Sequence, residues 1–521
     1  MNDRDFSELT KEDLIKLLLE QDKKVFTLNN KVKTLSDDVR ILKRYLFAKK
    51  SEKVSKEDIK QGSLFNESED AASEEKPPNI PENNKESSDS SKKTKRKPGR
   101  RKLPDSIPKN KVTVDVKAID KLCPCCKKPR PEFSTKPTQK LRFIPAQIIV
   151  DEYDIKKYGE CDCEEFQNRE DLPGIIEAEA PKSFIPGGIA TSSLVAHIIV
   201  NKFCDSLPFY RQNRIFKRIG VDISRQNMSN WSLTASSKCE PLIEYMRKYI
   251  ISGDLINMDE TTLQVLNEKD RSAKSKSYMW VMTGGEKDKK IVLFNYAATR
   301  KQETPVTLLK GYNGILQTDG YAGYNKAVKD YDLWHVGCLA HTKRKFWDIA
   351  TVTEKKGLAH KGVTFFSKLY EINNRLKEMN LSDDDFVKKR REESIPVWQE
   401  FYRWLHENKN KVIDGSPISR AINYSLNQYQ KIVRYLKYAI IPLDNNVAEN
   451  AIRPFCVGRK NWLFSNTPRG AYSSAVLYSL VETAKVNKIE PDIYLNYIFE
   501  AITNMVVKYK IKSSVIDVID L

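Results

Sequence analysis

Long apolar runs are missing from this sequence. No stretch approaches the roughly 18 consecutive apolar residues of a membrane span, and the opening Met1-Asn-Asp-Arg-Asp5 lacks a signal-peptide apolar core. Both absences predict a soluble, cytoplasmic chain. Histidine is scarce, at five in 521 residues, and none stands inside the acidic motifs described below. Cysteine is not spread as a disulfide scaffold would need. Five of the nine lie between Cys123 and Cys163, which fits metal ligands in a reducing compartment better than disulfides. Acidic residues are outnumbered, 70 against 89 Lys and Arg, for a net charge of +19. That excess suits a polyanionic partner, although a solubilising basic surface gives the same count.

What is present centres on three acids. Gly314–Tyr324 reads Gly-Ile-Leu-Gln-Thr-Asp-Gly-Tyr-Ala-Gly-Tyr, an apolar strand signal closed by Asp319-Gly320. An acid at the carboxyl mouth of a strand sits where open α/β sheets place ligands. Upstream, Leu255, Ile256 and Met258 form a strand on which Asp259 faces opposite to Met258. Downstream, Leu443-Asp-Asn-Asn-Val-Ala-Glu449 opens a helix, with Asp444 expected as its N-cap and Val447, Ala448, Ala451 and Ile452 as its buried stripe. Glu449 falls off that stripe, towards the two strand acids. Each acid has a plainer reading: Asp319 as a turn residue, Asp259 as a partner of a lysine, Glu449 as an ion pair with Arg453. Their joint order favours a site for hard divalent cations, which take oxygen ligands.

The rest of the chain is a series of distinct segments. Over 1–50, Leu18, Val25, Val32, Val39 and Leu46 recur every seven residues, with Leu28, Leu35 and Leu42 three after each valine. β-branched residues at one seam position and leucine at the other favour a parallel two-stranded coiled coil; a single amphipathic helix packed on its own chain is the alternative. Residues 51–108 read as a disordered linker, ending in the basic run Lys92–Lys102. Residues 109–175 carry Cys123-Pro-Cys-Cys126 and Cys161-Asp-Cys163 around an alternating Lys140–Asp154, expected as a hairpin. Cys123, Cys126, Cys161 and Cys163 would then hold a structural zinc ion. Residues 176–250 show helix, Gly220 turn and a Ser224-capped helix whose first turn holds Arg225, Gln226 and Asn227. That is a helix-turn-helix pattern suited to DNA, and also one that any helical hairpin can show.

From 251 to 350 strands dominate: Leu255–Val265, Ser277–Thr283, Ile291–Tyr296, then a helix over Glu303–Leu309, then Ile315–Thr318 and Leu333–Cys338. Three adjacent strands, a helix and two more strands is the order of a ribonuclease-H-like sheet. Residues 351–439 read as a helical insertion whose Trp398, Phe401, Tyr402 and Trp404 are expected in a core. The sheet domain resumes over 440–503 with Glu449, and 504–521 form a tail. The fold class is therefore multidomain α/β.

The motifs together resemble the transposases of the insertion sequence 66 family, bacterial enzymes of the DDE type. The resemblance is carried by Cys123-Pro-Cys-Cys126, Leu207-Pro-Phe-Tyr-Arg-Gln212, Met258-Asp-Glu-Thr261 and Asp319-Gly-Tyr-Ala-Gly-Tyr324. It continues in Gly337-Cys-Leu-Ala-His341, Arg344-Lys-Phe346, Asp444-Asn-Asn446 with Glu449, and Gly458-Arg-Lys-Asn-Trp-Leu-Phe464. It implies Asp259, Asp319 and Glu449 as a catalytic triad holding two magnesium (or manganese) ions about 3.5–4 Å apart. It implies cleavage at the inverted repeats of a mobile element and transfer of the freed 3′-hydroxyl into target DNA, in the cytoplasm at the nucleoid. Where the family usually has arginine directly after the triad glutamate, this chain has Asn450, with Arg453 the nearest base. Arg344, Lys345, Arg453, Arg459 and Lys460 are candidate phosphate contacts. Expected partners are element ends, target DNA, a second copy of the chain through the coil, and small accessory proteins of the same element. Cys338 and His341, in C-x-x-H spacing, are expected to play a structural part beside the site. Two other classes fit the same residues: a ribonuclease-H-like nuclease that cuts without joining, and a zinc-dependent DNA-binding repressor.

Overall fold

The computed structural model describes residues 11–47, 147–159, 175–286, 288–353 and 357–508. The chain divides into two units, one of residues 1–49 with 181–521 and one of residues 50–180. Helix α1 (Lys11–Phe47) runs unbroken through the heptads, and its seam residues stay in solvent. Val39 is the least exposed of Leu18, Val25, Leu28, Val32, Leu35, Val39 and Leu42, and it keeps 46% of its surface. Its Asp38 carboxylate pairs with the Arg420 guanidinium of the same unit.

Within the second unit, β1 (Lys157–Tyr158) pairs antiparallel with β2 (Ile176–Glu177), and Lys157 bonds Glu177 across them at 2.9 Å. The expected hairpin over Lys140–Asp154 is corrected in its described part, where residues 147–154 form no strand. Ile149 and Val150 there are 77% and 87% exposed. Alternation makes a strand only where a neighbour takes up the backbone hydrogen bonds. Cys123, Cys126, Cys161 and Cys163 lie outside the described residues.

Four helices precede the sheet: α2 (Ser192–Phe203), α3 (Phe209–Arg218), α4 (Arg225–Lys238) and α5 (Glu240–Ile251). Gly220, at φ +89°, makes the left-handed turn between α3 and α4. Ser224 then caps α4 by accepting the Asn227 N–H at 3.1 Å. Buried Gln212 ties α3 to its surroundings, donating to the Ile198 and Leu207 carbonyls at 3.1 and 2.9 Å. The helices share one apolar core with the sheet that follows, through Ile198, Ile199, Phe216, Trp231 and Met246.

The sheet comprises β3 (Leu255–Gln264), β4 (Lys276–Glu286), β5 (Lys289–Ala297), β6 (Ile315–Thr318) and β7 (Trp334–Gly337). Its order is β5-β4-β3-β6-β7. The first three strands are antiparallel neighbours, and β3, β6 and β7 run parallel. Crossovers between parallel strands carry α6 (Glu303–Leu308) and α7 (Asn325–Asp330). The five strands of this sheet lie where the apolar alternation put them, with β4 running three residues past the expected Thr283.

The two faces of the sheet meet different cores. Ile256, Met258 and Leu316 enter the first, with Phe455, Val476 and Leu480. Leu255, Ile315 and Val336, of the other parity, meet a second built on Phe346, Phe366, Phe401 and Trp404. That second core belongs to α8 (Leu339–Ala350), α9 (Leu358–Glu378), α10 (Asp383–Lys409) and α11 (Pro417–Ile432). Trp398 is buried with them, but Tyr402 is 43% exposed. Buried Arg390 of α10 donates to the Ile441 carbonyl at 3.2 Å and to those of Tyr435 and Tyr438, fastening the exit from this helical block.

The chain then returns to the sheet through α12 (Asn446–Trp462), α13 (Pro468–Val486) and α14 (Pro491–Lys508). Strand β5 is an edge, and α13 covers it with a ladder of side chains four residues apart. Ser479 accepts Phe294 N–H at 2.8 Å, Thr483 accepts Val292 N–H at 3.0 Å, and Asn487 accepts Lys290 N–H at 3.0 Å. An edge that would otherwise pair with a foreign strand is thereby occupied. Phe346 is fully buried against Phe366, Phe401 and Trp404. Phe346→Ala should cost about 3–5 kcal/mol of stability, read as a lower denaturant midpoint in equilibrium unfolding. An unchanged midpoint would mean that the aromatic cluster collapses without loss.

Candidate active site

Register alone brings two of the acids side by side. Asn257 of β3 lies opposite Gln317 of β6 in the parallel ladder, so two residues further on Asp259, still within β3, and Asp319, just past the end of β6, stand as neighbours on one face. Side chains reinforce the register. Asn257 Nδ2 donates to Gln317 Oε1 at 2.8 Å and to Asn445 Oδ1 at 3.1 Å. Gln317 Nε2 donates to the Pro442 carbonyl at 2.9 Å, and Asn445 Nδ2 to the Met258 carbonyl at 2.8 Å. All three amides are buried.

The third acid arrives through this bridge. Asn445 is the N-cap of α12, and the Glu449 N–H returns to its carbonyl at 3.1 Å. The helix carrying Glu449 therefore starts at a residue tied to the strand carrying Asp259. The cap expected at Asp444 falls one residue later. Asp444 instead accepts the Asn446 N–H at 3.2 Å and the Tyr370 hydroxyl at 3.3 Å. In the buried stripe of α12, Ala448 and Ile452 are covered, whereas Val447 is 43% exposed and Phe455 takes the next inward position.

Asp259 shows the electrostatic consequence. Burial lifts its carboxyl to about 8, helped by the charges of Glu260, Asp319 and Glu449 and opposed by the Glu260 N–H bonded to it at 2.9 Å. Asp319 accepts the Tyr321 N–H at 2.9 Å. Glycine follows Asp319 because Tyr424 stands close: a Cβ on Gly320 would lie 2.6 Å from the Tyr424 hydroxyl. Glu449 faces His341 Nδ1 at 3.5 Å and Arg344 at 3.8 Å, rather than Arg453 four residues on. Burial depresses the His341 imidazole, against the pull of Glu449.

The basic candidates fall in two places. Arg344 and Lys345 are exposed on α8, Lys345 lying 5.4 Å over the Tyr424 ring. Arg459 donates to Thr261 Oγ1 at 3.1 Å, two residues beyond Asp259. Arg453 is half-buried and Lys460 exposed on the same helix. Arg225, Gln226 and Asn227 are exposed in the first turn of α4, whose other side buries Met228 and Trp231. Sequence reasoning missed Glu260, which accepts Arg300 Nε at 2.7 Å and the Tyr324 hydroxyl at 2.5 Å. It also missed Asn257, Gln317 and Asn445. A signal existed: each strand acid has an amide side chain two residues before it.

The family described as "Transposase IS66 family" matches residues 187–473, more than half of the chain. The chain belongs to the IS66 transposase family. A second family description, "Transposase C of IS166 homeodomain", matches residues 34–112, from the last part of α1 onward. Two relatives from Sinorhizobium fredii (strain NBRC 101917 / NGR234) carry the likeness over most of their length. Uncharacterized protein y4hP is 26% identical over 421 residues, covering 77% of this chain and 74% of its own. Uncharacterized protein y4jD is 27% identical over 413 residues, covering 77% and 78%. The IS66 match takes in all three acids and the bridge that joins their elements.

The raised Asp259 carboxyl makes a prediction for the metal-free chain. The folded state keeps this proton up to about pH 8, whereas an unfolded aspartate releases it near pH ~4. Stability from this group is therefore full below pH ~4 and is lost as pH rises towards 8. Melting in chelator should show Asp259→Asn losing less stability than the wild type across that window. Parallel curves for the two proteins would contradict the assignment.

Proposed function

We propose that this IS66-family chain is a DDE transposase whose ribonuclease-H-like core uses Asp259, Asp319 and Glu449 to hold two magnesium or manganese ions. The observation that carries the reading is the register that sets Asp259 of β3 beside Asp319 at the end of β6, with Glu449 brought to them by Asn445. The donor set is all oxygen, which suits a hard cation. An Asp259 carboxyl kept protonated by burial and by neighbouring negative charge gives up that proton most readily to a cation. When bound, such ions activate a water or 3′-hydroxyl and stabilise the leaving oxygen of a phosphodiester.

The chain's own residues supply the rest. Arg344 and Arg459 offer guanidinium groups beside Glu449 and Asp259, where a DNA phosphate would lie. His341, kept neutral, adds no positive charge that would compete with a cation for Glu449. Arg225, Gln226 and Asn227 on α4, and the basic run Lys92–Lys102 inside the 34–112 match, would contact DNA away from the cleavage point. Cys123, Cys126, Cys161 and Cys163 would hold zinc in the segment before the core. Asp259→Asn, Asp319→Asn and Glu449→Gln should each abolish cleavage of labelled element ends while end binding stays near wild type. A variant that still cleaves at the parental rate removes its residue from the site. Joining of the labelled 3′ end to a second duplex separates a transposase from a nuclease that only cuts.

Pairing of two element ends calls for two chains, and the solvent-facing seam of α1 would bring them together as a parallel coil. Replacing Val25, Val32 and Val39 with Asp would place like charges against each other in that seam. Sedimentation should then show a folded monomer that binds one end and pairs two poorly. If the triple variant sediments and pairs ends as its parent does, dimerisation lies elsewhere.

A further inference from the structure

Just past β7 a second, softer set of ligands meets the triad glutamate. One ligand atom each from Cys338, His341 and Glu449 lies within 4.8 Å of the other two. Cys338 Sγ is 4.0 Å and His341 Nδ1 3.5 Å from the same oxygen, Glu449 Oε1. Tetrahedral zinc, with bonds of about 2.0–2.3 Å, holds its ligand atoms roughly 3.3–3.8 Å apart. A small side-chain adjustment therefore completes three corners of a site.

Local structure presents the pair. Cys338 is the N-cap of α8 and His341 its third residue, so one turn carries both. Two further observations point to a cation. His341 Nδ1 is shielded from solvent and has no hydrogen-bond partner. Cys338, only 3% exposed, accepts the Asn445 N–H at 3.2 Å, which fixes its sulfur at the start of α12 beside Glu449, while burial pushes its thiol up to about 12, so a bound cation has to displace the proton. A cluster serving packing alone would satisfy the imidazole nitrogen, since a buried polar atom without a partner is costly.

We infer that Cys338, His341 and Glu449 form a second cation site, which takes a borderline-soft divalent ion such as zinc and draws Glu449 away from the hard-cation pair. Sulfur, nitrogen and oxygen donors together suit zinc or cobalt and are poor for magnesium. On binding, the thiol proton passes to solvent. The competition, though not the binding, rests on Glu449 being a triad acid. Soft metal would thus switch off cleavage by occupying one shared side chain.

The test is a cobalt(II) titration of the full-length, metal-stripped chain, followed by absorbance and equilibrium dialysis. Cys338→Ala and His341→Ala are titrated beside it, with thermal melts to establish that each is folded. Cobalt held by other cysteines is common to all three proteins. Wild type should bind one equivalent more than either variant, with a stronger sulfur-to-cobalt absorption, and excess magnesium should displace that equivalent alone. Equal uptake by wild type and a folded His341→Ala protein would overturn the site, and Cys338→Ser replaces Cys338→Ala if the latter unfolds. An extra equivalent retained in Glu449→Gln or untouched by magnesium would overturn the competition. No DNA enters this assay, so its failure leaves the triad reading standing. Parental cleavage by Glu449→Gln would sink the triad and leave the cobalt count intact.

Discussion

Three buried amides hold the site together. Asn257, Gln317 and Asn445 link β3, β6 and the start of α12 through hydrogen bonds of 2.8–3.1 Å. Each is an expensive group to bury, and each is matched by a partner that fixes one element against another. The acids sit two residues beyond the strand amides and one helical turn beyond Asn445. Their convergence is therefore a consequence of this bridge and of strand register, with little left to side-chain chance. Nearly 190 residues of sequence separate Asp259 from Glu449, and the link between their elements is local and polar.

One of the three carboxylates is placed against its own preference. Asp259 is driven to about 8 by burial beside other acids, a state that no aspartate adopts in water. Such strain in charge agrees with the cation site proposed for the three acids. Around it the fold adds neutral His341, cationic Arg344 and Arg459, and a paired Glu260 whose charge is met by Arg300 and Tyr324. The helical block of α8–α11 supplies His341 and Arg344 from its first turn and a half, then builds its own aromatic core. Later helices of the block still reach the site's rim, through Tyr424 against Gly320 and Tyr370 on Asp444.

Much of this could be read from the sequence, for physical reasons that also explain what could not. The strands β3 to β7 were legible because alternation and apolar runs reflect burial on two faces. Asp319 and Glu449 were legible as acids at a strand end and a helix start, and Asp259 as an acid facing opposite to buried Met258 within its strand. The cap of α12 was misplaced by one residue because Asp444 and Asn445 are both good caps, and only the tie to Met258 chooses between them. The expected strands over Lys140–Asp154 failed in their described part because alternation says nothing about whether a partner strand is there. Pairing of Glu449 with His341 and Arg344 depends on the start of α8 lying beside Leu443, just before α12, which no local pattern encodes. The α13 ladder on the β5 edge was equally invisible, since serine, threonine and asparagine at four-residue spacing usually face solvent.

Asp259, Asp319 and Glu449 are proposed to form one hard-cation site. A crystal of the full chain soaked in manganese, with anomalous diffraction recorded at the metal edge, tests it most directly. Manganese peaks are expected in contact with all three carboxylates. Manganese bound elsewhere on the chain, with none between Asp259, Asp319 and Glu449, would contradict it.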